Sequence, residues 1–279
     1  MVGFLGSVGN DAFGDRYISL LVSENITPIF EAHNDQITGL CLVICNNNER
    51  THYTDLGVST TITPKFVNRF WDKIKDSQLI FTELFIIKHQ YEILKKLAAL
   101  GSENDKIFGF NLPSFWFLET FINEITFLYS NADIVFCNLA EARYFGNLMG
   151  FIDENSQDLA MYLAGLPKKN QNKKRVVVIT CGSNPAIVCE FDFQTDSVSY
   201  INEIPIRPVD ASQIVDTNGA GDSFAGGFLS QYMQGKSLED CMICGHWAAS
   251  LIIQSRGCQI PYGLTYDPEK AKRDIYGEN

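Results

Sequence analysis

A chain of 279 residues that is 46% hydrophobic and 20% charged can bury the core of one large α/β domain or two small ones. Its formal net charge of -11 excludes the basic footprint of a nucleic-acid binder and a polybasic membrane contact, yet leaves room for an anionic nucleotide held by backbone amides. No apolar run reaches the length of a membrane span, and Met1–Gly6 lacks a basic, apolar leader. The expected location is therefore the cytoplasm, with the nucleus as the alternative. The cysteines (Cys41, Cys45, Cys137, Cys181, Cys189, Cys241, Cys244 and Cys258) are scattered. Cys241 and Cys244 have CxxC spacing, but they sit in a helical run without a second pair. Buried thiols in a reducing compartment are expected rather than a zinc or redox site.

In chain order, Val2–Val8 reads as a buried strand ending in the turn-rich Gly9–Gly14, and Asp15–Glu24 as a helix with Tyr17, Leu20 and Leu21 on one face. Ile26–Glu31, Thr38–Cys45 and Arg50–Asp55 have strand character. The links between them are too short for crossover helices, so antiparallel pairing is expected. From Pro64 onward, helical patterns at about Lys65–Lys73, Gln90–Leu100, Phe115–Tyr129 and Ala140–Phe145 alternate with the strands Leu79–Phe81, Ile107–Asn111, Ile134–Cys137 and Val176–Thr180. That alternation predicts a mainly parallel sheet covered on both faces. A hairpin is expected at Ala186–Glu190 and Ser197–Ile201, then helices at about Ala220–Gln234 and Leu238–Ser255. Lys168–Arg175, basic and Asn-rich, reads as a solvated loop.

The stretch richest in chemistry is Asp216-Thr-Asn-Gly-Ala-Gly-Asp222-Ser-Phe-Ala-Gly-Gly227. A Gly-rich turn opens a helix there, and the free N–H groups and dipole of a helix N-terminus favour an anion. A carboxylate at such a place is electrostatically awkward unless it works. The natural work of Asp222 is to take a proton from a hydroxyl that attacks a phosphoryl group, with the neighbouring amides holding the transferring charge. The run is not a dinucleotide fingerprint, which would need glycine at Phe224. Nor is Gly235-Lys236-Ser237 a Walker A loop, which would need one at Ser230. The residues alone leave a second reading open, a helix cap in which Asp222 only suits the dipole.

That stretch resembles the C-terminal signature of the ribokinase/PfkB carbohydrate kinase family, DTxGAGDxF, at every defined position. The resemblance covers nearly the whole chain and implies a ribokinase-like α/β fold with a small β lid, one kinase domain over 1–279 carrying lid strands at about 26–58. It implies Asp222 as catalytic base, with Gly219, Ala220 and Gly221 forming the anion hole. Asn138-Leu-Ala-Glu141 resembles the family's NxxE motif, which implies that Asn138 and Glu141 organise magnesium and phosphate. Thr180-Cys-Gly182 resembles its nucleotide-binding turn, and Gly6–Gly14 its G-x-x-G-x-D-x-x-G segment. Within the family the likeness is to the branch whose members phosphorylate adenosine. It rests on Gly245-His246-Trp-Ala-Ala-Ser250 with Arg256-Gly-Cys258, on Phe110–Phe115, and on Thr38-Gly39 with Arg50. The implied reaction is ATP + adenosine → ADP + AMP, a purine-salvage step carried out by a magnesium-dependent monomer. Asn218 and His246 would join Thr180 and Gly182 on the ATP side. Phe115 would lie by the nucleoside base, Arg50 would close the lid over the phosphates, and Asn48 and Glu49 would neighbour magnesium on the lid turn. Family members carry a segment before the position of Met1 that supplies a first strand, a ribose-binding aspartate and part of the lid, so this chain is expected to lack it. The alternatives are another sugar or nucleoside kinase of the family, or a truncated, non-catalytic nucleotide-binding relative.

Overall fold

The computed structural model describes every residue except 47, 48, 104, 259–262, 278 and 279, together with all side chains but those of 45, 46, 49, 50 and 52. Its contacts divide the chain into two compact units, residues 1–77 with 83–100, and residues 78–82 with 101–279. Among the described residues no helix is long and apolar enough to cross a membrane.

In the first unit, β1 (Val2–Gly9) leads through α1 (Ala12–Ser23) into β2 (Ile26–His33). β1 and β2 run parallel, with Val2 opposite Ile26 and Gly9 opposite His33. The expectation that Ile26–Glu31 pairs antiparallel with the later strands is thus corrected. The helix before it is long enough to act as the crossover that a parallel pair needs. Asp11 starts that helix. Its carboxylate accepts from the backbone N–H groups of Phe13 at 3.1 Å and Gly14 at 2.8 Å, and from both the N–H and hydroxyl of Thr38 at 2.8 Å each. These bonds, that of the Thr38 amide foremost, hold its pKa below the usual carboxylate value. β3 (Leu40–Asn46) and β4 (Glu49–Asp55) form the expected antiparallel hairpin, Leu40 opposite Asp55.

The single helix expected at Lys65–Lys73 is two, α2 (Pro64–Arg69) and α3 (Trp71–Lys75), parted at Phe70, whose φ of -107° and ψ of 10° leave the helical region. Phe70 turns its ring onto Phe66, centroids 5.0 Å apart, and this contact favours the break. α4 (Ile87–Gly101) completes the helices of this unit.

The second unit is built on a six-stranded sheet of β5 (Leu79–Thr82), β6 (Ile107–Asn111), β7 (Ile134–Asn138), β8 (Arg175–Cys181), β9 (Asn184–Asp192) and β10 (Ser197–Ile204), in the order β10-β9-β8-β7-β6-β5. β5 to β8 are parallel, and β9 and β10 return antiparallel. Its helices are α5 (Phe115–Thr120), α6 (Ile122–Asn131), α7 (Leu139–Leu148), α8 (Ser156–Gly165), α9 (Ala220–Tyr232), α10 (Leu238–Ile252) and α11 (Pro268–Tyr276). The helix expected over Phe115–Tyr129 is broken at Phe121, where the ring meets Trp116 and Phe117. On one face of the sheet, Phe136, Val178 and Val188 pack with Phe224 and Phe228 of α9 and Met242 of α10. The alternate residues Val135, Val177 and Cys189 are buried on the other face, as expected where helices cover both sides.

The basic segment expected to be a solvated loop points inward instead. Arg175 is fully buried and donates to the carbonyls of Tyr129 (2.9 Å), Ala132 (3.3 Å), Ala164 (3.3 Å), Pro167 (3.1 Å) and Leu166. Lys168 and Lys173 reach the buried Asp133 carboxylate at 2.6 and 2.5 Å. The reason lies in the helices that end nearby. The last turns of α6 and α8 leave carbonyls without intrahelical partners, and cationic side chains satisfy them.

Candidate active site

The parallel strands of the second unit end on one edge, and the sequence motifs assemble there. β7 ends at Asn138, which pairs in register with Thr180 near the end of β8. Asn138 then caps α7. Its side-chain oxygen accepts from the Glu141 N–H at 2.8 Å, and a Glu141 carboxylate oxygen accepts from the Asn138 N–H at 2.9 Å. This reciprocal capping box explains the NxxE spacing locally. It commits the Oε2 oxygen of Glu141. Burial raises the Glu141 pKa, the condition under which a neighbouring cation gains most.

Past β8, Gly182 takes a left-handed conformation, with φ of 64°, and turns the chain into β9. On the other side stands the start of α9. Gly219 is its N-cap at φ 72°, and no side chain caps the helix. The N–H groups of Gly221 and Asp222 therefore have no intrahelical acceptor and are available to an anion, while that of Ala220 reaches the Thr217 carbonyl at 3.4 Å. Asp222 is exposed in that turn. The turn is stitched to the end of α10. The N–H groups of Val215 and Asp216 donate to the Ile253 carbonyl at 2.8 and 3.2 Å, and the Asp216 carboxylate accepts from Asn218 N–H at 2.9 Å and Gly257 N–H at 3.1 Å. Cys258 follows and lies against Gly219. Burial first, then the charges of Asp222 and Asp216, raise its thiol pKa.

Thr180, Gly182, Ala220, Gly221 and His246 line one cleft of about 140 Å³. Five of the residues singled out in the sequence are thus brought together. His246 hydrogen-bonds through its ring to the Ile204 backbone, and burial lowers its pKa to about 4. Its Nε2 is buried without a partner, so the ring adds no positive charge to the cleft at neutral pH. Cys181, Asn184, Ala186, Phe224 and Ala249 complete the lining and were missed. Two of them carry a signal: Phe224 is four residues after Ala220 and Ala249 three after His246, spacings that share a helix face. Phe115 begins α5, partly exposed, with its ring stacked on Tyr144 at 4.8 Å and 25°. Glu49 and Arg50 lie on β4 of the first unit, but their side chains are outside the described residues, as is all of Asn48. Among the described residues no three His, Cys, Asp or Glu side chains cluster as a metal cage. The donor set fits magnesium only in the form that keeps waters and phosphate oxygens and takes one carboxylate, here Glu141.

The family model of pfkB carbohydrate kinases matches residues 1–263. The chain belongs to the pfkB family. Among relatives of known activity, the adenosine kinase of Saccharomyces cerevisiae is 30% identical over 260 residues, which cover 93% of this chain and 74% of that one. Adenosine kinase 2 of Arabidopsis thaliana is 28% identical over 260 residues, 92% of this chain and 73% of its own. The crystal structure of Anopheles gambiae adenosine kinase with P1,P4-di(adenosine-5) tetraphosphate superposes with a TM-score of 0.84 at 28% identity, covering 92% of this chain and 74% of that one. Schistosoma mansoni adenosine kinase in complex with 2-fluoroadenosine gives a TM-score of 0.84 at 27% identity, with 96% and 76% covered. The fold is the ribokinase-like α/β fold of this family, as expected from the sequence.

Proposed function

We propose that the chain transfers the γ-phosphoryl group of ATP to the ribose 5′-hydroxyl of adenosine, giving ADP and AMP in purine salvage. The observation that carries this reading is the left-handed Gly219 turn, which sets Asp222 and the open N–H groups of α9 beside a cleft lined by Thr180, Gly182 and His246. The adenosine kinases to which the chain is similar support the choice of acceptor.

In this reading Asp222 accepts the proton of the 5′-hydroxyl as that oxygen forms its bond to the γ-phosphorus, and the bond from phosphorus to the leaving ADP oxygen breaks in line with it. The first-turn amides of α9 hold the charge that spreads over the transferring group. The neutral His246 and the apolar Phe224 and Ala249 offer a site for the adenine of ATP. Asn138 and Glu141 face the phosphates. Glu141 would hold magnesium, which would supply charge neutralisation to the phosphates when bound. The finer expectations, a cytoplasmic monomer with no nucleic-acid partner, belong to the same reading.

The test is ADP release from ATP and magnesium, with and without adenosine, by the wild type and Asp222→Asn. The expected result is adenosine-dependent release that falls about 100- to 10,000-fold in kcat in the variant, with ATP binding retained. A variant as fast as the wild type would remove Asp222 from the chemistry. Ribose as competitor separates a sugar kinase from a nucleoside kinase: the reading expects it to leave adenosine turnover unchanged.

A further inference from the structure

α5 and α7 follow β6 and β7, which are adjacent parallel strands, so both helices start on the edge of the sheet where the site lies. One side chain of α7, Tyr144, grips α5 at two points. Its ring stacks on Phe115, centroids 4.8 Å apart and planes 25° from parallel. Its hydroxyl donates to the Glu119 carboxylate. Phe115 and Glu119 are four residues apart and share a helix face, so the two contacts fix both the height and the tilt of the tyrosine ring. Phe115 remains 44% exposed although one face of its ring is covered. Tyr144 lies three residues after Glu141, on the same face of α7. One helix therefore carries both the carboxylate beside the phosphate turn and the ring behind Phe115.

We infer that Tyr144 is a positioning and specificity-determining residue: it holds the Phe115 ring as a fixed shelf for a flat heteroaromatic base, and so biases the acceptor site toward nucleosides over bare sugars. This rests on the reading of the chain as a nucleoside kinase. A free phenylalanine at the exposed start of a short helix would have to be ordered by the incoming base. One already stacked on a tethered tyrosine offers its open face at little ordering cost.

The experiment compares the wild type with Tyr144→Leu, Tyr144→Met and Tyr144→Phe, measuring KM for adenosine, KM for ATP, kcat, and adenosine affinity by calorimetry. Loss of the ring in Tyr144→Leu should raise the adenosine KM and weaken adenosine binding about 2- to 10-fold, with the ATP KM and kcat unchanged. Tyr144→Met keeps the bulk without the ring, guards against misfolding, and should show the same change. Tyr144→Phe keeps the stack and should stay closer to the wild type than either. An unchanged adenosine KM in the first two variants, or an equal rise for ATP, overturns the inference. A wild type that binds adenosine more tightly than Tyr144→Leu but releases no ADP upholds the shelf and sinks the phosphoryl-transfer reading. A wild type that neither binds nor phosphorylates adenosine sinks both.

Discussion

Gly219 has two separate reasons to be glycine. Its φ of 72° is a conformation that a side chain strains, and a Cβ there would stand 2.4 Å from the Cys258 sulfur. The first cost belongs to the backbone, about 1 kcal/mol; the second belongs to one movable neighbour. Gly219→Ala should therefore displace the turn that presents the α9 amides, and lower kcat at least about tenfold, the equivalent of 1.4 kcal/mol in the transition state. Adding Cys258→Ala removes the clash and leaves the φ strain, so the double variant should recover part of the lost rate. Kinetics that do not distinguish the single from the double variant would show that the thiol contact is not what shapes the turn. The turn and helix start of this stretch were legible in the sequence because they are local. Asp216–Gly227 encodes turn, helix start and carboxylate in consecutive residues. The contacts of Tyr144 were not legible, because its partners Phe115 and Glu119 lie on another helix. Lys168 and Arg175 misled for a related reason: charge in a loop suggests solvent, and the carbonyls they satisfy at the ends of α6 and α8 leave no mark in their own segment.

At the scale of the element, α7 performs two tasks with one residue pair. Asn138 and Glu141 close a capping box, which is a matter of stability, and in the proposed reaction Glu141 also serves the phosphate side. Substitution separates the two. Glu141→Gln keeps a side-chain acceptor for the Asn138 N–H, so stability should stay within about 0.5 kcal/mol of the wild type. Turnover should meanwhile require more magnesium, as read from a titration of rate against metal at fixed ATP. If Glu141→Gln instead lowers the melting temperature and leaves the magnesium dependence alone, the motif is a cap and nothing more. Strong caps did not by themselves make an element legible. β6 was placed without error, whereas α8 and α11 went unnoticed even though Asn155 and the Asp267-Pro268 pair are recognisable helix starts. The direction of β2 followed from α1, the crossover that precedes it, rather than from its own composition.

For the molecule as a whole, the thiols set the behaviour in alkali. Burial pushes the pKa of Cys189 and Cys241 up to about 12 and raises those of Cys137, Cys181 and Cys244. Above about pH 8.5 the unfolded chain releases thiol protons that the folded chain keeps, so the folded state binds more protons and stability falls as pH rises. Lys168 acts in the opposite sense. Burial lowers its pKa to about 8, so between there and its unfolded value the folded state binds fewer protons and gains stability with pH. Arg175, whose pKa burial lowers to about 10, joins Lys168 above that pH, but the raised thiols are more numerous. Melting temperature under reducing conditions should hold near neutrality and decline above about pH 9, and Lys168→Met should make the decline steeper. A melting temperature that rises through that range would contradict the buried-thiol account. Arg175 has a consequence of another kind, for the order in which structure can form. Its donors reach Tyr129 and Ala132 at the end of α6, and Ala164 and Leu166 at the end of α8. Either helix alone would leave a guanidinium half solvated by protein and barred from water. The cheapest intermediates are those in which both helices are docked or neither is, and this ties two sequence-distant segments into one cooperative folding unit.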